Sequence, residues 1–115
     1  MHYQTTKTHQ VMKRKAMKEA HTLRTHFNFS KSDALRQGWL LAKTYKQMTT
    51  RKYVIFEFLK TDGKTIRRAF GILNPYFVPP TRGLRTPPPT TQVYFDMEKH
   101  EWRSFRKSNL LRILM

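Results

Sequence analysis

The residues of this chain with the clearest chemistry are cations set among aromatic rings. Arg103 and Arg106 lie three apart in EWRSFRK, interleaved with Trp102 and Phe105. Arg67 and Arg68 are adjacent in TIRRAFGIL, and Arg82 and Arg85 sit in a proline-rich stretch. Lys13, Arg14, Lys15 and Lys18 form the run KRKAMK. A guanidinium beside an exposed ring suits a single-stranded or RNA ligand, with the cation on phosphate and the ring against a base. On a strand, Arg103 and Phe105 share one face, while Trp102, Ser104 and Arg106 share the other. Arg67 and Arg68 must point to opposite faces. A small domain needs its aromatics inside, so Trp102 and Phe105 read first as core, with the arginines lining the surface.

Acid–base and metal chemistry find no matching pattern. The acids are Glu19, Asp33, Glu57, Asp62, Asp96, Glu98 and Glu101. Asp33 fits a helix start and Asp62 a turn. Asp96 fits a strand end where it organises the following turn, and Glu98 and Glu101 flank a hairpin tip. No two form a carboxylate pair for proton transfer. His21 and His26 are five apart, a poor match to the three or four that a metal pair on one helix face needs. The four glycines are scattered, with no phosphate-cradling loop. The expectation is a protein with no catalytic residues, no metal and no cofactor.

Charge points to the partner. The 115 residues hold 23 Lys plus Arg against 7 Asp plus Glu, a formal charge of +16. Such a surplus makes a folded chain repel itself, and a polyanionic partner offsets that. Nucleic acid is the first candidate and an anionic membrane surface the second. Residues 1–50 carry 10 basic and 2 acidic side chains, and residues 51–115 carry 13 and 5, so each part is +8. Cysteine is absent, which excludes disulfides and thiolate metal sites and fits a reducing compartment. The stretch MHYQTTKTHQ lacks the apolar core of a secretory signal, and no run approaches the roughly 18 apolar residues of a bilayer span. The chain reads as intracellular and not membrane-bound.

Two segments position these residues. Residues 1–50 read as helical. From His9 to Arg24, Val11, Met12, Ala16, Ala20 and Leu23 recur at helical spacing and make one apolar stripe. Phe27 and Phe29 bracket a break at Asn28. Ser30 with Asp33 three residues on resembles a capping box and predicts a second helix. Its stripe is Ala34, Leu35, Gly38, Trp39, Leu41, Ala42, Tyr45 and Met48, and Thr49 and Thr50 mark its exit. Trp39 reads as the anchor of that helix on the following segment. The two helices also raise a helix-turn-helix, with Arg36 and Gln37 as base-reading candidates, but the FNFS connection lacks the usual glycine. The apolar stripe of the basic first helix is poor in Leu, Phe and Trp, which weakens a membrane-surface role.

Residues 51–115 read as β structure. RKYVIFEFLK is apolar on both faces, with Val54, Phe56 and Phe58 on one and Tyr53, Ile55 and Leu59 on the other. That predicts a barrel interior on one side and a helix on the other. Asp62-Gly63 marks a hairpin turn. The return strand is 65–73, where Gly71 suggests a bend or bulge. All six prolines fall in 74–90, predicting a long loop. Strands follow at 91–96 and 101–107, with a turn at 97–100. A short fifth strand holds Leu110, Leu111, Ile113 and Leu114. Five short strands suit a small, partly open barrel.

VIFEFLKTDGKTIRRAFGIL at 54–73 and VYFDMEKHEWRSFRKSNLLRI at 93–113 resemble the SH3-like (Sm-like) barrel proteins grouped as a second WYL-like family, of phages and mobile elements of Bacteroides-type bacteria. FNFSKSDALRQGWLLAK at 27–43 is similar to the helix that often precedes this barrel. The resemblance implies a barrel and a phage or mobile-element setting in the bacterial host cytoplasm or the virion. It implies no mechanism.

The expected architecture is α+β, with two N-terminal helices leading into a five-stranded SH3-like barrel. The first functional expectation is a non-enzymatic nucleic-acid-binding accessory protein. Its phosphate contacts would come from Lys13, Arg14, Lys15, Lys18, Arg67, Arg68, Arg82, Arg85, Arg103 and Arg106, with DNA and RNA both open. The second is a protein–protein adaptor or virion component docking through the barrel and the proline-rich loop. A homo-oligomer through the apolar last strand is a further expectation. A small-ligand sensor is a third and weaker one, for which no pocket-forming pattern stands in the sequence.

Overall fold

Helix α1 spans His2–Phe27 and helix α2 spans Lys31–Thr50, followed by strands β1 (Val54–Leu59), β2 (Ile66–Ile72), β3 (Thr91–Asp96), β4 (Glu101–Arg106) and β5 (Leu110–Ile113). A single 3-10 turn, Lys107–Asn109, links β4 to β5. The structure is a computed structural model and describes residues 2–79 and 86–114. The five strands form one antiparallel sheet in the order β4-β3-β2-β1-β5. This is the expected α+β architecture.

Local chemistry sets the breaks. Asn28 takes a left-handed φ of 58°, which ends α1, and the Phe29 N–H reaches back to the Leu23 carbonyl at 3.3 Å. Ser30 is the extended N-cap of α2, and its Oγ accepts from the Asp33 N–H at 3.2 Å. Gly63 supplies the positive φ (71°) of the β1–β2 turn. Asp62 braces that turn by accepting from the N–H groups of Lys64 and Thr65 and from the Thr65 hydroxyl. These bonds, the Thr65 hydroxyl's first, hold its carboxyl at about 2.

The core lies on one face of the sheet. Phe56, Phe58, Tyr94 and Phe105 make a ring cluster with centroids 5.2–6.3 Å apart. Leu23, Leu41 and Met48 from the helices join the same buried cluster. The helices therefore cover the barrel's inner face, which corrects the expectation of a helix on the opposite side. Residues opposite each other in the register share a face, so Ile55, Glu57, Phe70 and Arg68 lie outward. Tyr53 stays exposed and stacks on Phe70 at 6.3 Å.

Three other expectations shift. Val11 is 64% exposed because the buried face of α1 is carried by Ala16, Glu19, Ala20, Thr22 and Leu23. Trp39 is half-buried and stacks on His9 of α1 at 5.5 Å, so the contact in which it is seen holds the two helices together. Of the bend or bulge expected at Gly71, the register shows no bulge, and the pairing of β2 with β1 ends at Gly71, where its pairing with β3 begins. A Cβ there would lie 2.7 Å from Phe56 and 2.9 Å from Tyr94, so the glycine lets two core rings approach β2. The register irregularity sits instead between Glu57 and Phe58, opposite β5.

Gly38 sets how closely the helices cross, since a Cβ there would lie 2.4 Å from the Ala16 carbonyl. Alanine ordinarily gains about 1 kcal/mol over glycine inside a helix. Here the clash wins, because backbone atoms must move. Gly38→Ala is expected to destabilise the fold by about 1–3 kcal/mol in urea denaturation, against its propensity.

Candidate nucleic-acid interface

Three carboxylates in this basic chain are buried, and each is held between two cations. Glu19 of α1 accepts from the Lys107 ammonium at 2.7 Å, and Lys15 stands 3.2 Å from its other oxygen. Glu57 of β1 lies between Arg68 of β2, at 3.4 Å, and Arg112 of β5. The register places these three side by side across three strands on the outward face. Asp96, at the end of β3, accepts from Arg67 at 2.9 Å and has Arg103 at 3.9 Å. A buried carboxylate without a partner is costly enough that such pairing is what the fold requires. Asp96 also accepts from the N–H groups of Glu98 and Lys99, which shapes the β3–β4 turn as expected.

This pairing sorts the ten residues expected to contact phosphate. Arg67 is committed to Asp96, with its side chain only 21% exposed. Arg103 is committed to Glu101, bonding its Oε1 at 2.6 and 2.9 Å, a contact that raises the Arg103 pKa further. Lys15 serves Glu19 and stands over the Tyr45 ring at 4.4 Å. Arg68 bonds Glu57 but keeps most of its side chain in solvent. Lys13, Arg14, Lys18 and Arg106 are exposed, and among the described residues none of them is ion-paired. Arg82 and Arg85 lie outside the described residues.

The four exposed cations do not form one cluster by sequence or element. Lys13, Arg14 and Lys18 lie on α1, where Lys13 and Arg14 flank a shallow depression with Gln10 and Met17. Arg106 is on the outward face of β4. Sequence reasoning missed the structural parts of Arg112 and Lys107. The available signal was Glu57, the lone charge inside an apolar strand, which demands a cation across the sheet.

The aromatic pair follows the core reading, Phe105 fully and Trp102 in part. Phe105 is buried in the ring cluster, and Trp102 is half-buried with its ring edge-on to Phe95 at 5.6 Å. Tyr94 is fully buried, and burial pushes its phenol up to about 12, so it stays neutral at physiological pH. Gln37 donates to the carbonyls of Lys107 and Leu110 at 3.1 and 2.7 Å, and Arg36 pairs with Asp33 at 3.5 Å. The helix-turn-helix reading loses its base reader, because Gln37 is used to dock α2 on the barrel. Among the described residues no group of three His, Cys, Asp or Glu could hold a metal, and no helix is long and apolar enough to cross a membrane.

A family model described as WYL_2, Sm-like SH3 beta-barrel fold, matches residues 41–111, more than half of the chain. The chain belongs to this family. Neither the curated proteins nor the solved structures give a match. The WYL_2 match begins at Leu41, midway along α2, and runs through the start of β5. Helix α1, with its exposed cations, lies outside it.

The sorting of the arginines is testable. Arg67→Gln is expected to cost about 2–4 kcal/mol in chemical denaturation, because buried Asp96 loses its closer cation. Arg106→Gln is expected to change stability by less than about 0.5 kcal/mol, as an exposed residue should.

Proposed function

We propose that this WYL_2 protein is a non-enzymatic nucleic-acid-binding accessory protein, of the phage or mobile-element type that its family resemblance implies. One observation carries the reading. The buried carboxylates are matched by internal cations, and Lys13, Arg14 and Lys18 remain exposed on α1 and, among the described residues, in no ion pair. Exposed, unpaired cations on one helix give a polyanion phosphate contacts and no base-specific ones. Binding is therefore weakly sequence-specific and strongly dependent on salt. DNA and RNA are both substrates on this chemistry.

A second reading has its own support. Tyr76 is 90% exposed and Phe77 about half, at the start of the proline-rich loop. Exposed aromatics there suit a protein–protein adaptor that docks a partner through the loop.

Fluorescence anisotropy of labelled single-stranded DNA, duplex DNA and RNA across a salt series separates the two. The nucleic-acid reading expects a steep log–log salt slope, and Lys13→Glu/Arg14→Glu/Lys18→Glu should reduce its magnitude by about 2–3. It also expects deletion of 79–89 to leave polyanion affinity nearly intact. No binding at about 50 mM salt, where phosphate contacts are least screened, would overturn it in favour of the adaptor.

A further inference from the structure

A groove of about 450 Å³ runs between α1 and α2. Its floor is apolar, made by Val11, Met12, Ala42 and Tyr45, and Lys15 and Lys46 stand on its lining. Helical period makes Val11 a core residue, yet it is 64% exposed, and Tyr45 is 37% exposed. Among the described residues no carboxylate lines the groove. Glu19, the acid that pairs with Lys15, is buried and shared with Lys107. Lys46 has no ion pair among the described residues.

Size and charge together name an occupant. Pockets for small ligands run from about 300 to 1,000 Å³, with apolar walls and a few placed polar groups. The volume here is that of one compact ring system and is small for a long segment of another chain. The polar groups converging on it are ammoniums, so the matching head group is an anion. Lys15 already lies over the Tyr45 ring, which fixes an ammonium at the groove wall.

We infer that the groove between α1 and α2 binds a free amphipathic anion, an aromatic or alkyl body carrying one acidic group. The body covers Val11, Met12 and Tyr45, and the acid meets Lys46, with the Glu19-paired Lys15 beside it. This site is separate from the α1 cations assigned to phosphate and stands whether or not nucleic acid binds.

Anilinonaphthalene sulfonate is a suitable probe, since its fluorescence rises on leaving water and it carries one anionic group. The full chain is titrated at about 0.15 M salt, where long-range attraction is screened. One saturable site is expected, with the neutral analogue N-phenylnaphthylamine binding more weakly. Val11→Asp and Lys46→Glu should each weaken the sulfonate by about fivefold or more, since each puts a carboxylate beside the bound anion. Lys99→Glu, an equal charge change on the β3–β4 turn, should leave it unchanged. Thermal melts confirm that each variant is folded. Equal weakening by Lys46→Glu and Lys99→Glu would overturn the site, because it would mean diffuse attraction. So would non-saturating binding, or a groove that takes up only anionic vesicles and not the monomeric probe.

Discussion

One ammonium joins the N-terminal helix to the far end of the barrel. Lys107 leaves β4 at the 3-10 turn and places its charge 2.7 Å from Glu19, 88 residues earlier in the chain, with both groups buried. The same turn collects contacts from every layer. Its Lys107 N–H continues the β3–β4 ladder to Thr90, and its Lys107 carbonyl accepts from Gln37 of α2. Asn109 donates to the Leu59 carbonyl of β1. Burying two opposite charges costs desolvation that only close pairing offsets. The position of α1 is therefore specified to within a hydrogen bond, and with it the direction in which Lys13, Arg14 and Lys18 point.

The same constraint explains how a chain of such surplus charge divides its cations. A buried carboxylate must be paired, and here three carboxylates take two cations each. Arginines in the barrel are mostly drawn into that work, because Glu57, Asp96 and Glu101 lie in or beside its strands. Helix α1 contributes only one acid, and that acid faces inward. The barrel arginines Arg67, Arg68, Arg103 and Arg112 are drawn into internal pairs, while Lys13, Arg14 and Lys18 of α1 stay exposed and, among the described residues, unpaired. The WYL_2 match covers the barrel and begins after α1.

Much of this fold was legible from local chemistry. The Ser30 cap, the Asp62-Gly63 turn and the bounds of β3 follow from residues within a few positions of each other. The helix–strand division followed from periodicity. Helix α1 was read too short, because the threonines before His9 argue against a helix on propensity alone. The site was less legible. Arg67 and Arg103 look as available as Arg106 in the sequence, and only the strand register shows which of them meets a carboxylate. Glu57 meets Arg112 across 55 residues, a pairing that no local spacing encodes. The helix was expected opposite the barrel interior, since two apolar faces on one strand do not say that interior and helices share one of them.

The central claim is that internal pairing decides which cations remain for nucleic acid. Lysine acetylation read by mass spectrometry, with and without a bound oligonucleotide, tests it residue by residue. The account predicts that Lys107 stays unreactive in both states, while Lys13 and Lys18 react freely alone and are protected in the complex. A complex that forms with Lys13 and Lys18 still fully reactive, or a Lys107 that reacts as fast as they do, would contradict it.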